Sequence, residues 1–202
     1  MPIVTLTTDF GTADWFVGSM KGVILGIGPQ LQIVDLTHGV PAGDVRAGAF
    51  ALAAAYRCFP RLTTHVAIVD PGVGSQRAAL VVRTANYFFV GPDNGVLSWA
   101  LAQEKVLEVW RVENRELFRQ PVSHTFHGRD VFAPIAARFS RRHEFEADAF
   151  AARHAHASDL VAALVKLYQE NASTLTPDPL HSAFYDSHPP AALRVERLLA
   201  GA

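Results

Sequence analysis

A carboxylate and a guanidinium follow a short apolar run in the middle of the chain. Residues 66–69 are apolar and mostly β-branched, Asp70 comes directly after them, and Arg77 lies on the same predicted loop. Such a run predicts a buried strand, and open α/β sheets bind their ligands at the carboxyl ends of their strands. Asp70 and Arg77 are therefore candidate site residues. The alternatives stay open here, because an aspartate at a strand end often only forms a turn and an isolated arginine is often solvated.

The loop that joins these two residues has special backbone properties. Pro71 fixes its own φ, and Gly72 and Gly74 have access to conformations that are closed to other residues. We therefore expect a tight turn that exposes amide N–H groups to a ligand.

A second carboxylate and a histidine occur in comparable positions. Asp9 ends the β-rich run of residues 3–8 and precedes Phe10-Gly11. His127 lies in Thr125-Phe-His-Gly-Arg-Asp130, which predicts a helix beginning near His127 with Pro134 close to its first turn. Two strand ends with carboxylates suggest a shared site, although a histidine in such a turn is more often a cap or a surface residue.

The elements that position these residues alternate along the chain. Strands are predicted over residues 3–8, 32–36, 66–69, 79–84, 87–90 and 108–112, the fourth and fifth forming a hairpin around Ala85-Asn86. Helices are predicted from Asp14 to Gly28-Pro29, from an N-cap at Asp44 to about Cys58, over residues 97–102, and from His127. The alternation predicts an α/β fold with a mixed, mostly parallel sheet flanked by helices.

The first predicted helix has an apolar side and two glycines. Its apolar side is formed by Trp15, Val23, Ile24 and Ile27. Gly18 and Gly22 are expected to let this helix pack closely against the sheet.

Composition excludes several classes of function. The chain of 202 residues has a formal net charge of −1 and no strongly basic cluster, which argues against nucleic acid or a membrane surface as a partner. The single cysteine, Cys58, excludes an internal disulfide, and the chain starts without a signal-peptide pattern. Cytoplasmic localisation is the expectation, and no apolar run reaches the roughly 20 residues that span a bilayer.

The composition changes after residue 138. Glycines become rare, with Gly201 the one that follows, and alanine, histidine and charged residues dominate. Ser158 is placed to cap a helix whose apolar stripe includes Leu160, Leu164, Leu167 and Tyr168. We expect a first domain over residues 1–138 and a helical appendage over residues 139–202.

Five motifs in the first two thirds of the chain carry a resemblance to a known family. They are Thr7-Thr-Asp-Phe-Gly11, Asp35-Leu-Thr-His38, Val69-Asp-Pro-Gly-Val-Gly-Ser75, Val90-Gly-Pro-Asp-Asn-Gly95 and Thr125-Phe-His-Gly-Arg-Asp130. Residues 2–137 resemble the S-adenosyl-L-methionine (SAM) hydroxide adenosyltransferases, which are related to fluorinating and chlorinating enzymes. The resemblance implies the α/β fold of the family's N-terminal domain. It also implies hydrolysis of SAM to adenosine and methionine, without a cofactor.

The same resemblance implies roles for individual residues. Asp70, Arg77 and His127 match the water-activating triad, and Asp9 matches the carboxylate that holds the ribose diol. Phe10, Asn94 and Gly128 are the other residues expected to bind substrate. Gly128 stands where the halogenases carry a serine that contacts the halide, so water is the expected nucleophile. For Asn94, a turn is the main alternative to a contact with substrate, and His38 and His124 have the same alternative.

The chemistry suits these residue types. Methionine leaves as a neutral thioether, so the leaving group needs no acid, whereas water, with a pKa of about 15.7, needs activation. As a hypothesis, His127 accepts the proton, Asp70 orients the water or the base, and Arg77 stabilises hydroxide character. Asp9 would accept hydrogen bonds from the ribose hydroxyl groups.

The last third resembles a different class of protein. Residues 139–148 and 178–190 resemble the C-terminal end of CAAX prenyl protease-type zinc metallopeptidases, in which Glu144 would match a zinc ligand, Asp148 its neighbour at i+4, and His188 a histidine near the substrate. The His-Glu-x-x-His helix of such proteases does not occur in this chain. We therefore expect no metal site, since a catalytic zinc needs about three protein ligands.

Three alternative functions are considered from the sequence. The first is SAM hydrolysis, expected to be impaired because family members continue into a second, mostly β domain that binds adenine and contacts a neighbouring subunit of a homotrimer. For this first function we expect irregular oligomers more than the family's homotrimer. The second is a non-catalytic truncated or fused remnant that binds nucleoside weakly or not at all. The third, disfavoured by the missing ligands, is a zinc metallopeptidase fragment.

Overall fold

A mixed six-stranded sheet forms the centre of the computed structural model, which describes residues 2–140. The strands are β1 (Ile3–Thr8), β2 (Gln32–Thr37), β3 (Thr64–Ile68), β4 (Ala79–Thr84), β5 (Phe88–Pro92) and β6 (Val106–Arg111). Their order is β2-β1-β3-β5-β4-β6. The first four strands in this order are parallel, and β4 is antiparallel to both β5 and β6. The predicted α/β class and mostly parallel sheet are confirmed, as is the hairpin of β4 and β5.

Helices cover both faces of the sheet. They are α1 (Phe16–Ile27), α2 (Val45–Ala55), α3 (Ser98–Leu101) and α4 (residues 127–140), with short 3₁₀ turns at Tyr56–Cys58 and Arg115–Leu117. The sequence predicts each helix, with ends that differ by a few residues. None of the helices within residues 2–140 is long and apolar enough to cross a membrane.

The side chains of β3 alternate between two separate hydrophobic cores, one on each face of the sheet. Val66 and Ile68 face a core that includes Met20 of α1 and Phe132 of α4. Ala67 and Val69 face the opposite core, which α2 and α3 close. Because successive side chains in a strand point to opposite faces, a strand covered on both sides reads as a continuous apolar run. This is why the central strand is recognisable from the sequence.

Helix α2 begins at the predicted cap and approaches the sheet closely. The Asp44 side chain accepts a hydrogen bond from the Ala47 backbone N–H at 2.9 Å, satisfying a donor that the first helical turn leaves free. A Cβ placed on Gly48 would lie 2.7 Å from Cγ2 of Val69, so only glycine fits there without a shift. Close helix–sheet packing thus depends on Gly48.

The corresponding expectation for Gly18 and Gly22 is wrong. A Cβ at either position would meet no atom within 4 Å, because both lie on the exposed side of α1. Trp15, expected on the apolar side of the helix, is 59% exposed, whereas Ile24 is fully buried.

Replacing Gly18 with alanine should therefore stabilise the domain. Alanine lowers the cost of helix formation by about 0.5–1 kcal/mol relative to glycine in an exposed helical position. Urea unfolding of the parent and Gly18→Ala should show a higher midpoint for the variant. Gly48→Ala is the matched control, and it should be destabilising because its Cβ meets Val69. A lower midpoint for Gly18→Ala would mean that this side of α1 packs against something.

Helix α4 starts with a wide turn. His127 is its first residue, and Gly128–Phe132 form a π-helical turn. Pro134 comes two residues after this first turn, close to where the sequence predicts it. Because proline lacks an N–H, the Asp130 carbonyl loses its usual partner four residues later. It accepts a hydrogen bond from the Arg119 backbone N–H at 2.8 Å instead.

The helix continues through residue 138, where the sequence predicts a domain boundary. Ser140 is buried, and its hydroxyl donates to Thr64 Oγ1 at 2.9 Å, while Phe139 packs against Trp110. The two-domain division stays a prediction. The helix predicted after Ser158 and the metallopeptidase-like positions Glu144, Asp148 and His188 lie outside the described residues.

Candidate active site

Strands β1 and β3 create a crevice at their carboxyl ends. They are adjacent and parallel, with Thr8 paired to Ile68. The chain leaves β1 toward β2 on one side, whereas after β3 it continues to β4 and β5 on the other. Such a reversal point is where open α/β sheets bind ligands. Asp9 and Asp70 follow these two strands, so the structure brings both predicted carboxylates to one edge.

Arg77 joins Asp70 to His127. Its Nε donates to Asp70 Oδ2 at 2.7 Å, and its Nη2 contacts the same oxygen and also lies 2.9 Å from His127 Nδ1. The guanidinium carbon lies 5.2 Å from the ring centre of Phe132, within the range of a cation–π interaction. Three residues that are distant in sequence thus form one hydrogen-bonded unit.

The contact with Arg77 determines which ring nitrogen of a neutral His127 carries the proton. A guanidinium can only donate, so Nδ1 must accept, and the proton of the neutral ring is then on Nε2. Partial burial and the positive charge of Arg77 lower the pKa of His127, although Asp70 and Asp130 oppose this. Near neutral pH, His127 is therefore a neutral ring that presents an N–H donor.

Asp70 keeps one oxygen unused. Its side chain is 5% exposed, and Oδ1 has no hydrogen-bond partner within residues 2–140. A buried carboxylate oxygen without a donor is costly, so Oδ1 is placed to accept a hydrogen bond from a ligand or a water. This is the atom of the site best suited to accept a proton.

Asp9 and Phe10 border the same crevice. Asp9 Oδ2 accepts a hydrogen bond from the Gly43 backbone N–H at 2.8 Å, and the loop of Gly43 lies beside Pro71, next to Asp70. The Phe10 ring covers Gly128, the residue after His127. A Cβ on Gly128 would lie 3.0 Å from this ring, so a larger residue there requires Phe10 to move.

The loop after β3 depends on one of its two glycines. Gly74 has φ +80°, and a Cβ there would lie 2.5 Å from the carbonyl oxygen of His124. Gly72 does not adopt a positive φ, so the expectation of special backbone geometry holds for Gly74 alone. Through Gly74, the loop that carries Arg77 touches the segment that precedes His127.

Asn94 has partners within the protein. Its side-chain amide donates to the Val69 carbonyl at 2.8 Å, and its side-chain oxygen accepts from the Val96 N–H at 3.1 Å. These bonds tie the turn after β5 to the end of β3. They account for the residue structurally, and its contact with substrate stays a prediction.

Asp130 is a buried carboxylate beside the site that sequence reasoning did not single out. It is fully buried and accepts hydrogen bonds from Arg129 at 2.7 and 2.9 Å, from Arg119 at 3.3 Å and from the Ser123 N–H at 2.9 Å. It thereby ties the preceding loop to the π-helical turn beside His127. The available signal was a carboxylate at the start of an apolar helix, where a charge needs partners.

Comparisons with known proteins identify the family to which this domain is similar. Residues 4–148 match the profile of the SAM hydroxide adenosyltransferase N-terminal domain. A protein of Salinispora tropica named (R)-S-adenosyl-L-methionine hydrolase is 45% identical over 140 residues, which cover 69% of this chain and 53% of that protein. Its namesake in Methanocaldococcus jannaschii is 39% identical over 142 residues, covering 68% and 52%. The chain spans about half the length of these curated relatives.

Structural and more distant matches point the same way. A crystal structure of an uncharacterized conserved protein from Thermotoga maritima has a TM-score of 0.66 at 44% identity, covering 68% of this chain and 54% of that one. A fluorinase of Nocardia brasiliensis is 25% identical over 162 residues, which cover 69% of this chain and 54% of the fluorinase.

The C-terminal part matches a second family. Residues 97–202 match the profile of peptidase family M48, and 61 residues are 56% identical to a CAAX prenyl protease 1 homolog of Arabidopsis thaliana, covering 30% of this chain and 14% of that protein. Both resemblances are thereby confirmed. Residues 97–140, which both profiles match, lie within the α/β domain, where β6 pairs with β4. Through the domain that contains the Asp70, Arg77 and His127 unit, the chain belongs to the SAM hydroxide adenosyltransferase family.

Proposed function

We propose that this chain hydrolyses SAM to adenosine and L-methionine. The observation that carries the proposal is the unit in which Arg77 holds Asp70 and His127 at the crevice and leaves Asp70 Oδ1 without a partner. The name of the relatives that are 39% and 45% identical supports the same reaction.

The reaction is a displacement at the 5′ carbon of the ribose. The oxygen of water forms a bond to this carbon, and the bond to the sulfonium sulfur breaks, with its electron pair staying on sulfur. Methionine is a neutral leaving group, so no acid is required and no cofactor has to activate the carbon. One proton of the attacking water must be taken up, and this is the task left to the protein.

Asp70 Oδ1 is the acceptor that the geometry favours. The Nδ1 atom of His127 is already an acceptor for Arg77, and its Nε2 carries the proton, so a neutral His127 has no free atom for a second one. We therefore assign proton acceptance to Asp70 instead of His127. A carboxylate suffices as the base, because the water becomes strongly acidic as the carbon–oxygen bond forms. His127 would donate its Nε2–H to the water oxygen, and Arg77 would hold both groups in place.

Substrate contacts follow from the rest of the crevice. Asp9 would accept hydrogen bonds from the two ribose hydroxyl groups, which fixes the direction of attack. Phe10 would shape the wall of the pocket beside Gly128, and Asn94 would contribute through an N–H that its bond to Val69 leaves unused.

We also propose that turnover is slower than in full-length relatives. The matched residues cover 53% of the Salinispora tropica relative, and residues 97–202 match the peptidase profile. Binding energy from remote parts of a substrate positions its reacting atoms, and a small displacement can cost about a hundredfold in rate. As the oligomeric state we propose irregular oligomers instead of the family's homotrimer, and light scattering on the full chain measures it.

Adenosine formation from SAM in ¹⁸O-labelled water tests the function directly. We expect adenosine with ¹⁸O at the 5′ hydroxyl, and a loss of about a hundredfold or more in His127→Ala, since a preorganised donor at the attacking group is removed. His124→Ala is the matched control, because this exposed histidine lies three residues away in the same segment. No adenosine from the parent, or equal rates in the two variants, would contradict the proposal and favour a non-catalytic remnant.

A further inference from the structure

His38 forms a buried chain of contacts with two polar residues of neighbouring strands. Its side chain is 3% exposed, and its Nδ1 lies 2.8 Å from Thr8 Oγ1. Its Nε2 lies 3.0 Å from Asp35 Oδ1, at ion-pair distance but not aligned as a hydrogen bond. Lys21 donates to the other oxygen of Asp35 at 2.6 Å. Burial would raise the pKa of Asp35, but the contacts with Lys21 and His38 lower it below its ordinary value.

The Asp35 carboxylate at one end of this chain determines which atoms along it donate and which accept. A carboxylate can only accept, so the contact with Asp35 places the proton of a neutral His38 on Nε2. The Nδ1 atom then accepts from the Thr8 hydroxyl. The same hydroxyl oxygen accepts from the backbone N–H of Phe10 at 3.2 Å. Thr8 thus links His38 to the backbone N–H of Phe10, the residue after Asp9.

His38 also holds the other side of this segment. Its carbonyl oxygen accepts from the Gly11 backbone N–H at 2.8 Å. One residue therefore fixes the chain both before and after Asp9 and Phe10, through Thr8 on one side and Gly11 on the other. The Asp9 side chain itself is half-buried, and its carboxylate accepts a hydrogen bond from the N–H of Gly43.

We infer that the chain Asp35–His38–Thr8 is a positioning device for the Asp9 carboxylate, and so determines how strongly the site prefers a nucleoside with both ribose hydroxyl groups. The inference rests on the proposed function for the identity of the ligand, but the positioning itself does not. His38 and Thr8 are buried behind Asp9, so they act through it and not on the substrate.

A second threonine–histidine pair in the same strand provides a matched control. Thr5 Oγ1 lies 2.8 Å from His65 Nδ1, and both residues are fully buried, as Thr8 is. His65 packs among Tyr56, Tyr87 and Phe89, away from the carboxyl end of β1. Thr5→Val and Thr8→Val therefore remove the same hydroxyl at equal side-chain size, but only one of them lies next to Asp9.

The first measurement needs no ligand. Amide hydrogen exchange of the full chain by NMR should become about tenfold faster or more at Gly11 and Gly43 in Thr8→Val, because a buried hydrogen bond that orders their partners is lost. Thr5→Val should leave both amides as in the parent, and Thr8→Ser, which keeps the hydroxyl, should restore them. Unchanged exchange in Thr8→Val, or an equal change in Thr5→Val, would overturn the inference.

The second measurement concerns the ligand. Calorimetric affinities for adenosine and 2′,3′-dideoxyadenosine give the preference of the site for the diol. We expect Thr8→Val to lower this ratio about fivefold or more, since charge-assisted bonds depend on geometry, with the dideoxy affinity unchanged and Thr5→Val equal to the parent. An unchanged ratio despite faster exchange would overturn the link to specificity. A parent that shows the exchange pattern but no preference supports the positioning and contradicts the proposed ribose contact of Asp9.

Discussion

Arg77→Ala should reduce adenosine formation about 100- to 1000-fold, the loss typical of removing a preorganised electrostatic group. Arg77 hydrogen-bonds both Asp70 and His127, so the substitution separates the proposed base from the proposed donor. It also leaves the buried Asp70 carboxylate without its cation, which is costly in a site that is largely closed to water. Arg77→Lys should recover little activity, since an ammonium group cannot make the forked contacts of a guanidinium.

Arg83→Ala is the matched control for this variant. Arg83 is on β4, and its side chain pairs with Glu108 at 3.6 Å on the surface, so its removal should leave the rate unchanged. A readout independent of turnover is the ¹⁵N spectrum of His127. The parent should show a neutral ring protonated at Nε2, and Arg77→Ala should raise the pKa of His127, because the lowering charge is removed while Asp70 remains. An unchanged His127 titration, or full activity in Arg77→Ala, would refute the arrangement.

Gly74→Ala should destabilise the domain by about 2–5 kcal/mol. Part of this is the cost of a left-handed backbone for a residue with a Cβ, about 1–2 kcal/mol. The rest comes from the contact with the His124 carbonyl, which a Cβ would approach to 2.5 Å and which only a backbone shift can relieve, at about 1–3 kcal/mol. Because this contact joins the Arg77 loop to the segment before His127, activity should fall as well.

Gly11→Ala separates these two contributions. Gly11 has φ +67°, similar to that of Gly74, but a Cβ there would meet no atom within 4 Å. Urea unfolding should therefore show a loss of about 1–2 kcal/mol for Gly11→Ala, the backbone cost alone, and a clearly larger loss for Gly74→Ala. Equal losses would mean that the contact with His124 does not constrain the loop.

Local patterns were enough to place most elements of the domain. The apolar run of residues 66–69 and the capping aspartate Asp44 each determine their element through nearby residues, and both are confirmed. The prediction for Gly18 and Gly22 failed because a glycine in a helix does not reveal which side of the helix faces the sheet. Gly48 in α2 has the close contact that was expected of them, and only the packed structure distinguishes the two cases.

The sequence by itself determined which residue types stand at the strand ends and in the turns: Asp9, Asp70, Arg77 and His127. These positions are identifiable because a buried strand, a glycine turn and a helix start are encoded within a few residues of each other. Only the tertiary structure decided that Arg77 lies between Asp70 and His127, that Asp70 Oδ1 lacks a partner, and that His38 holds the segment around Asp9. The physical reason is that hydrogen-bond direction and burial depend on contacts between segments far apart in the chain, and no local pattern specifies those contacts.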